Sequence, residues 1–134
     1  MKPIWKEKTK KKKKDTLEKD LDKVWSELVK IRAGYKCELC GVKNKKLNSH
    51  HFVGRINRNL RWDLRNGMSL CTQHHRNAKQ SAHNDPEWFR EKVLVSGRAE
   101  DYLYVNKVKG ILGLLTRNEK VDLLKRLKNL VNTT

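Results

Sequence analysis

Leu17, Leu21, Val24, Trp25, Leu28 and Ile31 recur at three- and four-residue intervals, the period of a helix with one buried face. Asp15 stands at a cap position, and Glu18 three residues on completes a capping-box pattern. Gly34 offers the left-handed exit favoured at helix ends. The pattern then shortens. Residues 47–53 predict a strand, Asn66-Gly67 is a turn dipeptide, and residues 68–70 supply a second strand for a hairpin. Thr72 precedes a short basic helix expected over 73–82. Beyond it the chain is helical again. Asp85-Pro86 opens a helix with Trp88, Phe89, Val93 and Val95, and a further helix starts near Arg98 with Tyr102, Leu103 and Val105. Thr116-Arg117-Asn118-Glu119 is another capping box, followed by Val121, Leu124, Leu127 and Val131 on one stripe that Leu123 and Leu130 widen. That stripe either packs on the domain or forms a homodimer contact through the C-terminal helices.

Between the first helix and the distal ones lies the chemistry. Cys37-x-x-Cys40 and Cys71-x-x-His74 are paired at zinc spacing, and two short-range pairs supply the four ligands of a structural Zn²⁺. Gly41 lets the backbone turn tightly after the second cysteine and aim amides at the thiolates. All three cysteines belong to this pattern, which suits a reducing cytoplasm and a metal rather than a disulfide framework. Inside the frame stand His50-His51, Asn66 and His75. On a helix His74 and His75 are about 100° apart, so one can face the zinc while the other faces a second metal. In a strand His50 and His51 emerge on opposite faces, and gathering both at one site requires a bulge or a strand end.

The charge narrows the partner. The 134 residues make one domain with a tail, and 32 Lys+Arg against 15 Asp+Glu leave +17. A polyanion is the expected partner, with nucleic acid ahead of an anionic membrane surface. The longest apolar run, residues 111–115, is too short to cross a bilayer, and Met1-Lys2-Pro3 begins no apolar signal segment. Residues 1–14 carry eight lysines and one glutamate and are expected to be a disordered tail. It is either a solubilising arm or a phosphate-binding one, and the charge of the whole chain favours the second. From Gly54 to Arg65 the chain is basic and irregular, with Arg55, Arg58, Arg61 and Arg65 as expected DNA contacts beside Lys79, and Trp62 packed beneath.

The order His-His, Asn, His within a frame of three cysteines and one histidine resembles the HNH (ββα-metal) endonucleases. The wider span 24–105 resembles the phage recombination nucleases of the NinG/Rap type. That likeness runs through Val-Lys-Ile-Arg-Ala-Gly-Tyr-Lys-Cys-Glu-Leu-Cys, His51-Phe52-Val53-Gly54-Arg55, Arg61-Trp62-Asp63-x-x-Asn66 and Trp88-Phe89-Arg90 to Gly97 and Leu103. The Cys-x-x-His-His ending of the second zinc pair is closer to ordinary HNH nucleases. The resemblance implies an α+β fold: a small zinc-stabilised ββα-metal, treble-clef-like core flanked by an N-terminal helix and C-terminal helices. On this reading residues 15–110 form the nuclease domain and 111–134 a C-terminal helical segment. The implied activity is metal-dependent hydrolysis of DNA phosphodiesters in phage recombination, repair or processing, on duplex or branched DNA such as a four-way (Holliday) junction, in the host cytoplasm. His51 would be the general base and Asn66 would hold its ring. His50 and His75 would bind a catalytic divalent metal, Mg²⁺ or Mn²⁺, with Asp63 a possible carboxylate ligand. His83 receives no role. The alternative is a non-catalytic, zinc-stabilised DNA-binding protein that keeps the zinc ligands and arginines alone.

Overall fold

The stripe that begins at Leu17 forms helix α1, Leu17–Arg32, and buries Leu17, Leu21, Trp25, Leu28 and Val29. The structure is a computed structural model that describes residues 15–43, 45–111 and 113–134; the basic arm at 1–14 lies outside them. The capping box expected at the start of α1 is replaced by other bonds. Asp15 Oδ1 accepts the Leu17 amide at 3.1 Å, but the Glu18 carboxylate turns to Arg58 and Lys120, 3.4 and 3.5 Å away. Full charges on neighbouring segments outcompete a backbone amide for an exposed carboxylate. At the other end Gly34 (φ +69°) and Tyr35 (φ +54°) both enter the left-handed region, and their amides close on the Ile31 and Lys30 carbonyls.

Two short strands come next, β1 (Leu47–His51) and β2 (Gly67–Cys71), antiparallel, with His51 opposite Gly67 and Leu47 opposite Cys71. Asn66-Gly67 is not their connecting turn. The link is the whole 52–66 segment, which ends in a short 3₁₀ turn, Leu64–Asn66, and Gly67 is extended at the head of β2. Gly67 is required for another reason: a Cβ there would lie 2.6 Å from both Trp25 Cζ2 and Val29 Cγ2. The missing side chain lets α1 lie directly on the hairpin, where Ser26 and Ser49 exchange hydrogen bonds of 2.9 Å.

Three more helices complete the α+β fold: α2 (Pro86–Leu94), α3 (Ala99–Val108) and α4 (Arg117–Asn132). Asp85 caps α2 through the Trp88 amide, and the Thr116/Glu119 capping box forms in full at α4. Two apolar clusters result. One joins α1 to Trp62 and to Leu127 of α4, with Val121, Leu124 and Val131 packed around it; the other joins Cys37, Met68, Leu70 and Cys71 to Phe89 and Val93 of α2. The C-terminal stripe therefore faces α1, and only its margin at Leu130 is left exposed. Among the described residues no helix is long and apolar enough to cross a membrane.

Candidate functional site

Cys37, Cys40, Cys71 and His74 converge from the knuckle and from the end of β2. Cys40 Sγ lies 3.9 Å from Cys71 Sγ, and His74 Nδ1 lies 3.4 and 3.8 Å from the Cys71 and Cys37 sulfurs. Ligands about 2.3 Å (sulfur) and 2.05 Å (nitrogen) from a tetrahedral zinc are separated by about 3.6–3.8 Å, so the donor set fits a structural metal ion such as zinc. Burial works to raise the Cys37 thiol, but hydrogen bonds from the backbone of Cys71, Cys40 and Leu39 and from His74 outweigh it and bring it down to about 7. Burial, reinforced by the neighbouring thiols, pushes Cys40 up to about 11. The knuckle is tied to the hairpin through Glu38, which accepts the Ser69 amide at 2.7 Å and pairs with Arg98 at 3.2 Å.

A second cluster lies on the other side of His74. The basic helix expected over 73–82 is replaced by one wide π-helical turn, Gln73–Asn77, after which the chain doubles back. The segment has no apolar stripe to hold a longer helix against the core. Instead Ala82 and His83 donate to the carbonyls of His74 and His75, and Asn84 Nδ2 bridges those of Arg76 and Ala78. The turn sends His74 to the cysteines and His75 the other way. The reversal brings His83 to His75, with their Nε2 atoms 3.1 Å apart, and both rings meet His50 of β1 edge-on. One nitrogen from each of His50, His75 and His83 lies within 4.8 Å of the other two.

The 3.1 Å between the His75 and His83 nitrogens matches adjacent corners of an octahedral or tetrahedral first-row metal. Nitrogen edges in those geometries are about 3.0 and 3.3 Å. Such a borderline donor set suits Zn²⁺, Ni²⁺, Co²⁺ or Mn²⁺ better than Mg²⁺, which prefers oxygen. The proton affinity of all three rings is lowered, in the direction metal binding needs. Burial, then the other histidines, pushes His50 down to about 3; burial, then His83 and Arg76, pushes His75 down to about 4; burial and then Arg76 lower His83. Asp63 is not among the gathered ligands. Its carboxylate caps the 3₁₀ turn through the Arg65 amide and grips the Arg65 guanidinium at 2.8 and 3.0 Å.

His51 projects from the opposite face of β1, as strand alternation demands. Its ring stacks on Trp25, centroids 3.9 Å apart and planes 8° from parallel, and its Nε2 lies 2.9 Å from the Arg61 carbonyl. A carbonyl only accepts, so Nε2 carries the proton and Nδ1 keeps its lone pair. Burial lowers the affinity of this ring for a second proton, partly opposed by the Arg61 carbonyl. The strand ends at His51, and there a cavity of about 300 Å³ opens whose lining includes His50, His51, His75 and His83 together with Arg55 and Arg76.

Asn66 is buried but does not touch the His51 ring. Its Oδ1 accepts the Val53 amide, and its Nδ2 donates to the carbonyls of Val53 and Leu60, all at 2.7–2.9 Å. It ties together the two ends of the 53–60 loop, and the ring is oriented instead by Trp25 and the Arg61 backbone.

Three of the four loop arginines are paired within the chain. Arg61 forks onto Asp22 at 3.0 and 2.7 Å, with its side chain only 17 % exposed, and Trp62 Nε1 donates to the same carboxylate. Arg65 pairs with Asp63 and lies over the Tyr104 ring at 3.8 Å. Arg55, Arg58 and Lys79 face solvent, Arg58 with a 3.4 Å contact to Glu18. A larger cleft of about 710 Å³ opens between the 59–65 segment and α4, lined by both signs of charge: Asp63, Glu119 and Asp122 beside Arg65 and Arg126.

Two functional candidates escape a reading of the sequence. His83 gives no signal by spacing, because it lies beyond the helix expected over 73–82 and meets His75 only through the chain reversal. Trp25 reads as core and is core, and its contact with His51 crosses 26 positions. Comparison of the chain with known protein families, with curated proteins and with solved structures finds no match.

Proposed function

We propose that this chain is a metal-dependent DNA endonuclease of the HNH type, hydrolysing phosphodiester bonds in duplex or branched DNA. The observation that carries the reading is the cavity whose lining includes both a tautomer-fixed His51 and the three-histidine cluster. A zinc-stabilised fold needs Cys37, Cys40, Cys71 and His74, but it has no use for four further histidines at one opening.

The chemistry follows from the groups present. A phosphodiester resists hydrolysis because its anionic oxygens repel a nucleophile and its leaving alkoxide is strongly basic. His51 Nδ1 takes the proton from the attacking water, while Nε2–H stays on the Arg61 carbonyl. The stacked indole and that carbonyl keep the ring from turning, so no reorientation is needed at the moment of transfer. Arg55 and Arg76 offset charge on the non-bridging oxygens. His50, His75 and His83 would hold the divalent metal, whose Lewis acidity stabilises the developing charge on the phosphoryl group and leaving oxygen. Asn66 acts at one remove, by closing the loop that carries Arg55 and leads to Arg61.

The test is cleavage of supercoiled plasmid, linear duplex and four-way junction by the zinc-loaded protein, with Mg²⁺, Mn²⁺, Ni²⁺ or Co²⁺ added. His51→Ala should lower cleavage by roughly two orders of magnitude or more while folding and DNA binding persist. His75→Ala should abolish metal-dependent cleavage and recover partly at higher metal concentration. His74→Ala should release zinc and lose structure and activity together. Undiminished cleavage by His51→Ala would sink the mechanism. A wild-type protein that binds DNA but cuts no substrate with any metal would favour the non-catalytic DNA-binding alternative.

A further inference from the structure

The loop between the strands ends in an apolar point. Ile56 is 98 % exposed, whereas Asn57 and Leu60 close behind it are anchored. Asn57 donates its amide to the Gly54 carbonyl and its side chain to the Lys109 carbonyl; Leu60 is fully buried and donates to Asn57. Asn66 fastens both Val53 and Leu60 from beneath, and Arg61 and Trp62 lock the far end onto Asp22. Successive tight turns with buried anchors make a stiff projection. A single exposed isoleucine needs no explanation by itself. This one stands between Arg55 and Arg58 and adjoins the histidine cavity. Arg55, Ile56, Arg58 and Arg61 enclose a depression of about 400 Å³, and Arg55 also lines the cavity that holds His51. Arg55 makes no hydrogen bond or ion pair among the described residues.

We infer that Ile56 is a wedge that enters a base step of the DNA next to the scissile phosphate, with Arg55 and Arg58 holding the phosphates on either side. The inference rests on the nuclease reading and adds to it a source of specificity. A β-branched side chain on a stiff loop carries no hydrogen-bonding code, so it cannot read a base directly. It reads the ease with which a step opens. Pyrimidine–purine steps unstack at least cost, and cuts should therefore fall at a fixed offset from TA and CA/TG steps. Arginines contribute the same attraction at every sequence.

The experiment uses the full chain carrying His51→Ala, zinc-loaded, so that binding is seen without cleavage. The probes are short duplexes with 2-aminopurine placed in a TA step or within a GC-rich run. Binding should brighten the probe in the TA step several-fold, and adding Ile56→Ala should remove the brightening while Ile56→Leu retains it. Affinity for the TA duplex should drop roughly tenfold with Ile56→Ala, with little change for the GC duplex. Arg55→Ala should weaken both duplexes alike. Equal brightening with and without Ile56 would overturn the wedge, as would DNA binding and cutting with no brightening at all; the nuclease reading would survive both. Ile56-dependent binding to vesicles of anionic phospholipid, with no effect of Ile56 on DNA, would assign the tip to a membrane and overturn the wedge. Failure to bind any duplex would overturn the wedge and the nuclease together.

Discussion

Asn66 illustrates how a residue can matter for a different reason than its place in a motif implies. Its amide satisfies three backbone groups of the 53–60 loop, and the side chain is fully buried. Asn66→Ala leaves the Val53 N–H and C=O without their partner and takes one of two donors from the Leu60 carbonyl, which keeps the Asp63 amide, at a cost of about 1–3 kcal/mol. The loop that positions Arg55 and the Arg61 carbonyl loosens with it, so cleavage should fall further than stability alone explains. Metal uptake by the three histidines should persist, because none of them bonds to Asn66. Calorimetric melting, metal titration and cleavage of one plasmid substrate separate these effects; loss of metal binding with intact folding would refute this assignment. The place of Asn66 between the histidines is legible in the sequence. Its hydrogen-bond partners are not, since they lie 6 and 13 residues away on a loop of no regular period.

The helices are legible in the sequence, and so is the hairpin. Apolar spacing places α1 and α4, and Asp85-Pro86 and Thr116/Glu119 start α2 and α4 where capping chemistry puts them. The stretch after Thr72 departs from its pattern, because a basic run whose apolar residues are two alanines, of which only Ala82 reaches the core, has no apolar stripe to hold a helix. The hairpin and α2 share an apolar cluster that includes two of the four candidate metal ligands, Cys37 and Cys71, whereas α1 and α4 meet in a cluster with none. Zinc removal should therefore act unevenly. Chelation should strip amide protection from residues 37–94 first and leave α1 and α4 longer protected, since the sheet side buries little without the metal. Hydrogen exchange with and without a strong chelator measures this, alongside about one tightly held zinc per chain before chelation. Uniform loss, or cooperative melting unchanged by chelation, would contradict it.

The whole molecule is a polycation, +17 over 134 residues. If DNA is the partner, each phosphate neutralised releases counterions, and affinity must fall steeply as salt rises. Deleting residues 1–14, with their eight lysines, should flatten that salt slope and weaken all DNA substrates about equally, because a lysine arm carries no base readout. Arg61→Ala should behave differently. Its guanidinium neutralises Asp22 within the fold, so its loss should lower stability more than it changes the slope. Filter binding across a salt series, with melting of each variant, tests the contrast. An unchanged slope after truncation would leave the arm a solubilising one.

The sequence by itself determined what depends on near neighbours and on residue type. Helix starts, strand-length runs, the spacing of the four candidate metal ligands and the net charge all follow from chemistry within a few positions. Tertiary structure alone decided which groups meet across distance. His83 joins His50 and His75 only because the chain reverses after Asn77, and His51 stacks on Trp25 only because Gly67 lets α1 lie flat on the strands. Arginines that read alike along the chain differ in the fold: Arg61 and Arg65 fork onto Asp22 and Asp63, Arg58 makes a longer pair with Glu18, and Arg55 faces solvent. Charge counts and periodicities are sums over the chain, whereas a site is a matter of direction and distance, which packing sets.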